Sequence, residues 1–155
     1  MHLEIINPFV GATVLLFDRM LQCRLTRGEP LLVPAVQHYQ GVTGLIDLEG
    51  GVCGRVVLNL SRTVALSGTT AWTGDTVSVV NSDVVDTVGE MVSIITGQAR
   101  AQMEHLPVIM GLPKVLKTPT HRVEFHGARQ ALRIPFHSIW GQLFVDIGIS
   151  QTAKV

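Results

Sequence analysis

The chain has 155 residues, enough for one domain with a sizeable core, and with 46% apolar and 15% charged residues it does not read as disordered. Twelve basic residues balance twelve acidic ones, which argues against a general nucleic-acid binder and against electrostatic docking on an anionic membrane. Low charge and few aromatics point to a surface partly covered by a second subunit.

The opening stretch MHLEIINPFVG has no basic segment leading into an apolar one, so no secretion signal is read. No apolar run approaches the length of a membrane span, and a soluble, cytoplasmic protein is expected. Asn7 is a candidate N-cap with Pro8 at the first helical position, and Val10, Val14, Phe17 and Leu21 recur at helical spacing. They predict a helix of about three to four turns. Cys23 falls in this helical pattern and Cys53 in a strand pattern; both are expected to be reduced and to pack as small hydrophobes.

Residues 41–60 predict a hairpin, with GVTGLIDL and VCGRVVLNL on either side of a glycine turn. Ser61 then caps a short helix weakened by Gly68. A long helix is expected over roughly residues 84–105, where Val85, Val88, Val92, Ile95, Ala99, Met103 and Leu106 keep a three-four rhythm and Pro107 marks the end. HRVEFHG and ALRIPF read as short strands, Pro135 demanding an edge strand or a bulge. In WGQLFVDIGIS, Leu143, Val145, Ile147 and Ile149 alternate with Phe144, Asp146 and Gly148. The order predicts an α+β fold, an antiparallel β-sheet with two long helices packed on one face, as a single domain over 1–155. No internal repeat of the long-helix motif is read.

The six histidines form no His-x-x-x-His pair and no Cys/His cluster, so no metal site is expected. There is no phosphate loop, dinucleotide fingerprint or nucleophile elbow. The stretch DTVGEMVSIITG, residues 86–97, carries the remaining signal. Val88, Val92 and Ile95 share one helix face, and Asp86, Glu90 and Ser93 project opposite to it, with Gly97 continuing the line. Gly89 and Gly97 each cost the helix about 1 kcal/mol relative to alanine. One reading is a plain solvated face whose glycines serve packing. The other is a flat patch, with a carboxylate standing up from it, that docks closely on another protein.

DTVGEMVSIITGQA resembles the signature helix of the CheX/CheC/FliY phosphatases of bacterial chemotaxis. That pattern is Asp or Ser, three residues, Glu, two residues, Asn, three residues, Gly. Asp86, Glu90 and Gly97 match it, and Ser93 stands at the Asn position. NPFVGATVLLFDRML, the hairpin running into a short helix, LPKVLKTP and the closing strands are similar to the family's elements in the same order. A single copy of the pattern looks like CheX rather than the two-copy CheC type.

The resemblance implies a CheX/CheC-like fold, a homodimer, and hydrolysis of the aspartyl phosphate of a CheY-like receiver domain. The receiver supplies Mg²⁺, and the chain needs no cofactor of its own. Glu90 would pair with the receiver's lysine, and Ser93 would stand where the family's asparagine orients the attacking water. Asp86, Gly89 and Gly97 would form the surrounding docking surface. A hydroxyl can donate and accept, but it is shorter than a carboxamide and can turn back onto the carbonyl four residues earlier. The resemblance therefore implies weak or absent hydrolysis if Ser93 acts alone. The alternatives are a non-catalytic module that docks on or sequesters a response regulator, and a structural partner in a motor or receptor assembly.

Overall fold

The protein is described by a computed structural model over residues 3–103, 105 and 107–151. Leu106, named above, and His2, one of the six histidines, lie outside the described residues. The first helix, α1 (Leu3–Leu21), begins four residues before the expected cap. Ile5 and Ile6 are buried with Phe9 and Ala12, so the apolar stripe reaches further back than Asn7 and burial extends the helix. Pro8 sits inside α1, past its first turn, and leaves the Glu4 carbonyl without its intrahelical N–H donor. Cys23 lies just beyond α1, its N–H donating to the Phe17 carbonyl at 2.9 Å. It is buried, whereas Cys53 is exposed and does not pack as a small hydrophobe.

Among the described residues ten strands follow or intervene: β1 (Thr26–Arg27), β2 (Leu31–Pro34), β3 (Val36–Tyr39), β4 (Val42–Gly50), β5 (Val52–Leu60), β6 (Val108–Met110), β7 (Lys114–Leu116), β8 (His121–Glu124), β9 (Gln130–Ser138) and β10 (Gly141–Gln151). Between β5 and β6 lie α2 (Arg62–Thr73), with its Ser61 cap as expected, and α3 (Ser82–Ala101). The hairpin β4–β5 forms in the register Val42 to Leu60. The main sheet has eight strands in the antiparallel order β1-β9-β10-β5-β4-β6, with β2 also on β9 and β7 also on β4. All three helices pack into one cluster with Val56, Leu58, Leu60, Ile134, Leu143, Val145 and Ile147 from one sheet face. No helix among the described residues is long and apolar enough to cross a membrane.

This order is unchanged when the two halves of the chain are exchanged. β1 and β2 of the first half flank β9 of the second, β6 and β7 of the second flank β4 of the first, and β5 meets β10 at the centre. The edge breaks correspond as well. Gly28 of Gly28-Glu29-Pro30 donates to the Pro135 carbonyl at 2.8 Å, and Gly111 of Gly111-Leu112-Pro113 donates to the Asp47 carbonyl at 2.8 Å. Pro135 is thus not on an edge strand. β9 is interior, and its proline faces the break between β1 and β2, where a missing N–H interrupts no ladder.

The other sheet face is also covered. β3 and β8 pair into a small second sheet over Val33, Leu45, Val57, Phe125 and Ala131. Asp146, which alternates with the core residues of β10, is therefore fully buried. Its carboxylate accepts from Tyr39 Oη at 2.5 Å and from Arg133 Nη2 at 2.8 Å, while Arg133 stacks on Phe144 with 4.4 Å to the ring centroid. Burial first, then the neighbouring carboxylate, pushes the Tyr39 phenol well above its ordinary range. Desolvation works against the Arg133 charge, but Asp146 and Tyr39 together outweigh it and hold the guanidinium above its ordinary value. A buried charge with its bonds made is a structural device here.

Candidate functional site

The side chain of Asn81 starts α3, accepting from the Val84 N–H at 3.1 Å, with Asp83 in the first turn. Val84, Val88, Met91, Val92, Ile95 and Ala99 are buried on the inner face. Gly44 of β4 sets the depth at which they pack. A Cβ there would lie 3.1 Å from methyls of Val88 and Val92 and 3.2 Å from the Val88 carbonyl. The glycine lets α3 come close to the sheet and so fixes where its outer face stands. The helix ends at Ala101 rather than near residue 105. Gln102 and Met103 N–H groups close it against carbonyls three residues back. Arg100 then bonds the Val108 carbonyl at 3.3 Å and ties the exit of the helix to β6.

The outward line divides into two parts. Asp86 and Glu90 are exposed, whereas Ser93 and Gly97 are half-buried. Gly89 is buried, because Pro113 and Val115 of the β7 segment lie beside it. Helix and strand thereby enclose an open groove of about 630 Å³, lined by Val85, Asp86, Gly89, Glu90, Ser93, Ile94, Pro113 and Val115. Four of the five expected residues meet in it. Gly97 lies one turn further along, facing the Met110 sulfur. The wall was not read from the sequence. Its one local signal was Pro113 breaking an apolar edge segment, and the pairing of β7 with β4 is what brings it to α3.

The polar groups of the groove are uncommitted. Among the described residues, Asp86, Glu90 and Ser93 have no side-chain hydrogen bond or ion pair. Ser93 does not turn back onto the Gly89 carbonyl, although Thr69, Thr70 and Thr73 of α2 each bond a carbonyl four residues back, at 2.8, 2.9 and 3.0 Å. Two unpaired carboxylates four residues apart repel slightly, which favours a cationic visitor. Chemically the groove offers a carboxylate for a cation, a hydroxyl that both donates and accepts, and apolar walls that exclude water. Among the described residues no group of three or more His, Cys, Asp or Glu could hold a metal ion.

No curated protein matches the chain. Among solved structures it resembles a CheC-like superfamily protein from Shewanella sp. PV-4 at 25% identity and TM-score 0.88, covering 97% of this chain and 99% of that one. Chemotaxis protein CheX from Vibrio vulnificus is similar at 25% identity and TM-score 0.85, over 95% and 99% of the two chains. At 20% identity the fold is shared with CheX in a CheX–CheY–BeF3–Mg²⁺ complex from Borrelia burgdorferi, at TM-score 0.73 over 97% and 100%. The family model described as chemotaxis phosphatase CheX matches residues 42–137, from the start of β4 to the penultimate residue of β9, with the whole of α3. The chain belongs to the CheX family.

Proposed function

We propose that the protein hydrolyses the aspartyl phosphate of a CheY-like receiver domain, using the α3 groove as its active face. The observation that carries this reading is the open groove that presents Glu90 unpaired and Ser93 with a free hydroxyl on one line. Support for the partner comes from the relative whose complex contains CheY, BeF3 and Mg²⁺. Mg²⁺ belongs to the receiver and neutralises the phosphoryl oxygens.

Glu90 pairs with a cationic side chain of the receiver and fixes the docking register. The Ser93 hydroxyl accepts from the attacking water and donates toward the phosphoryl group. The water oxygen bonds to phosphorus as the phosphorus–oxygen bond to the receiver aspartate breaks. The electron pair leaves with the aspartate carboxylate, and both water protons stay with the phosphate. Pro113, Val115 and Ile94 keep other water out. Such catalysis is positioning and electrostatics, with no covalent intermediate on this chain.

The test follows aspartyl phosphate loss from Mg²⁺-loaded receiver domains with wild type, Glu90→Ala and Ser93→Asn. Wild type accelerates the loss, Glu90→Ala weakens docking by roughly 2–5 kcal/mol, and Ser93→Asn raises the rate, up to about a hundredfold. A wild type that binds the receiver without accelerating loss, beside an active Ser93→Asn, selects the second reading, a docking module without catalysis. The serine in place of a carboxamide is what favours that reading. Glu90→Ala binding as well as wild type removes the α3 groove from both. Homodimerisation is part of the same proposal, with the open edge of β2, where Leu31 and Leu32 are exposed, as the contact. A stable monomer at micromolar concentration in light scattering counts against it.

A further inference from the structure

A second cavity opens on the sheet face opposite α3, where β5 runs into α2. Leu58 and Leu60 of β5 pack with the helices, so Asn59 between them points to the other side. It lines a space of about 400 Å³ together with His38, Arg62, Arg133 and Phe144. That is within the usual range for small-molecule sites, about 300–1,000 Å³. The walls leave polar atoms unanswered. Asn59 is only 7% exposed. Its Nδ2 donates to the Gln40 carbonyl at 2.7 Å and to Thr43 Oγ1 at 2.9 Å, and since a carbonyl can only accept, the orientation of the amide is fixed. Oδ1 is the acceptor left over. Among the described residues Thr96 Oγ1 is the one sealed side-chain polar atom without a partner, so Asn59 Oδ1 opens onto the cavity. Arg133 commits Nε and Nη2 to Asp146 and Gln37, and its Nη1 has no partner among the described residues. Arg62, the first residue of α2, is exposed and equally unpaired there. No carboxylate lines this cavity or the shallower hollow beside it, which Arg62 shares with Lys117. In a chain of zero net charge this is a local cationic excess, and the first N–H groups of α2 add to it.

We propose that this cavity binds a small phosphate ester that carries hydroxyl groups, a sugar phosphate or a nucleotide. The phosphate is held by Arg62 and the free Nη1 of Arg133 at the start of α2, where charge-assisted hydrogen bonds are the strong ones. Anionic oxygens answer those cations but not Asn59 Oδ1, which is itself an acceptor. The same ligand must therefore bring a donor, and a hydroxyl a few bonds from the phosphate supplies it. Asp146 and Phe144 keep Arg133 in place from behind, so the guanidinium is preorganised for the ligand. The cavity shares no lining residue with the α3 groove and does not depend on the receiver as a partner.

The test measures binding to the full chain by calorimetry and by the rise in thermal midpoint, with ribose 5-phosphate, adenosine 5′-monophosphate, ribose and inorganic phosphate as probes. At least one of the two esters is expected to bind, one molecule per chain, and at least about tenfold more tightly than ribose or inorganic phosphate. The tighter ester tells a sugar phosphate from a nucleotide. Arg62→Glu should weaken that binding at least about tenfold. Position 62 is exposed and opens α2, where a carboxylate suits the helix, so the variant keeps its fold and an unlowered thermal midpoint without ligand verifies it. Arg129→Glu makes the same charge change at an exposed residue outside the cavity and should alter binding by less than about twofold. The proposal is overturned if neither ester binds at millimolar concentration, or if inorganic phosphate binds as tightly as the esters. It is also overturned if Arg62→Glu binds like wild type, or if Arg129→Glu loses as much as Arg62→Glu.

Discussion

At position 89 a side chain would be tolerated by the fold and harmful to the groove. An alanine Cβ there would meet Val115 at 3.6 Å and Pro113 at 3.8 Å, which is ordinary contact. Helix propensity favours alanine by about 1 kcal/mol. Gly89→Ala should therefore raise the urea midpoint while slowing aspartyl phosphate loss, because the methyl lifts the groove floor. A fall in stability with unchanged hydrolysis would contradict this. The glycines of that helix stood out in the sequence, but what Gly89 faces did not: it lies against the chain's own β7 segment. Tyr39 gives a second prediction. It is the chain's one tyrosine, and its phenol is raised above its ordinary value near 10. The folded state therefore keeps a proton that the unfolded chain loses. This stabilisation is whole below about pH 10 and fades as pH climbs beyond it. Native protein should show no phenolate absorbance until it unfolds in alkali. Tyr39→Phe should abolish that pH slope and cost about 1–3 kcal/mol at neutral pH, since Asp146 loses a hydrogen bond.

Among the elements, α3 is the one whose placement sets the shape of the proposed active face. Gly44→Ala would press on the Val88 carbonyl and two valine methyls, and a backbone atom cannot swing aside. The helix should shift outward by a few tenths of an ångström, lowering stability by about 1–3 kcal/mol and slowing hydrolysis although residue 44 touches no substrate. Equal hydrolysis in the variant, measured at saturating receiver, would show that the depth of α3 is unimportant. Asn81→Ala should cost about 1 kcal/mol in urea titration by uncapping the same helix. The helices and the β4–β5 hairpin were legible because their signals are local: periodicity, Ser61 at a cap, a glycine turn. β1, β2, β6 and β7 were not, since strands of two to four residues have no periodicity of their own. Their pairing with β9 and β4 is set by tertiary contact, and so was the groove wall.

For the whole molecule, the two halves are interleaved in one sheet, so neither can complete its hydrogen bonding alone. Fragments cut in the loop 74–80 should each be largely unfolded by circular dichroism and should regain the native spectrum when mixed at micromolar concentration. An independently folded first half would refute the interleaving as the source of stability. The halves exchange in topology but share almost no sequence beyond the glycine-x-proline breaks, which is why periodicity could not announce the repeat. The same arrangement bears on synthesis. Val52 pairs with Gln151, so β5 is made early and receives its second neighbour, β10, only after β6 to β9 have been made. Until then its Val56 and Leu58 lie in a two-stranded hairpin with β4 alone. The cell must shelter an apolar hairpin until β10 is made, and a chain stalled before β10 should be bound by chaperones or degraded.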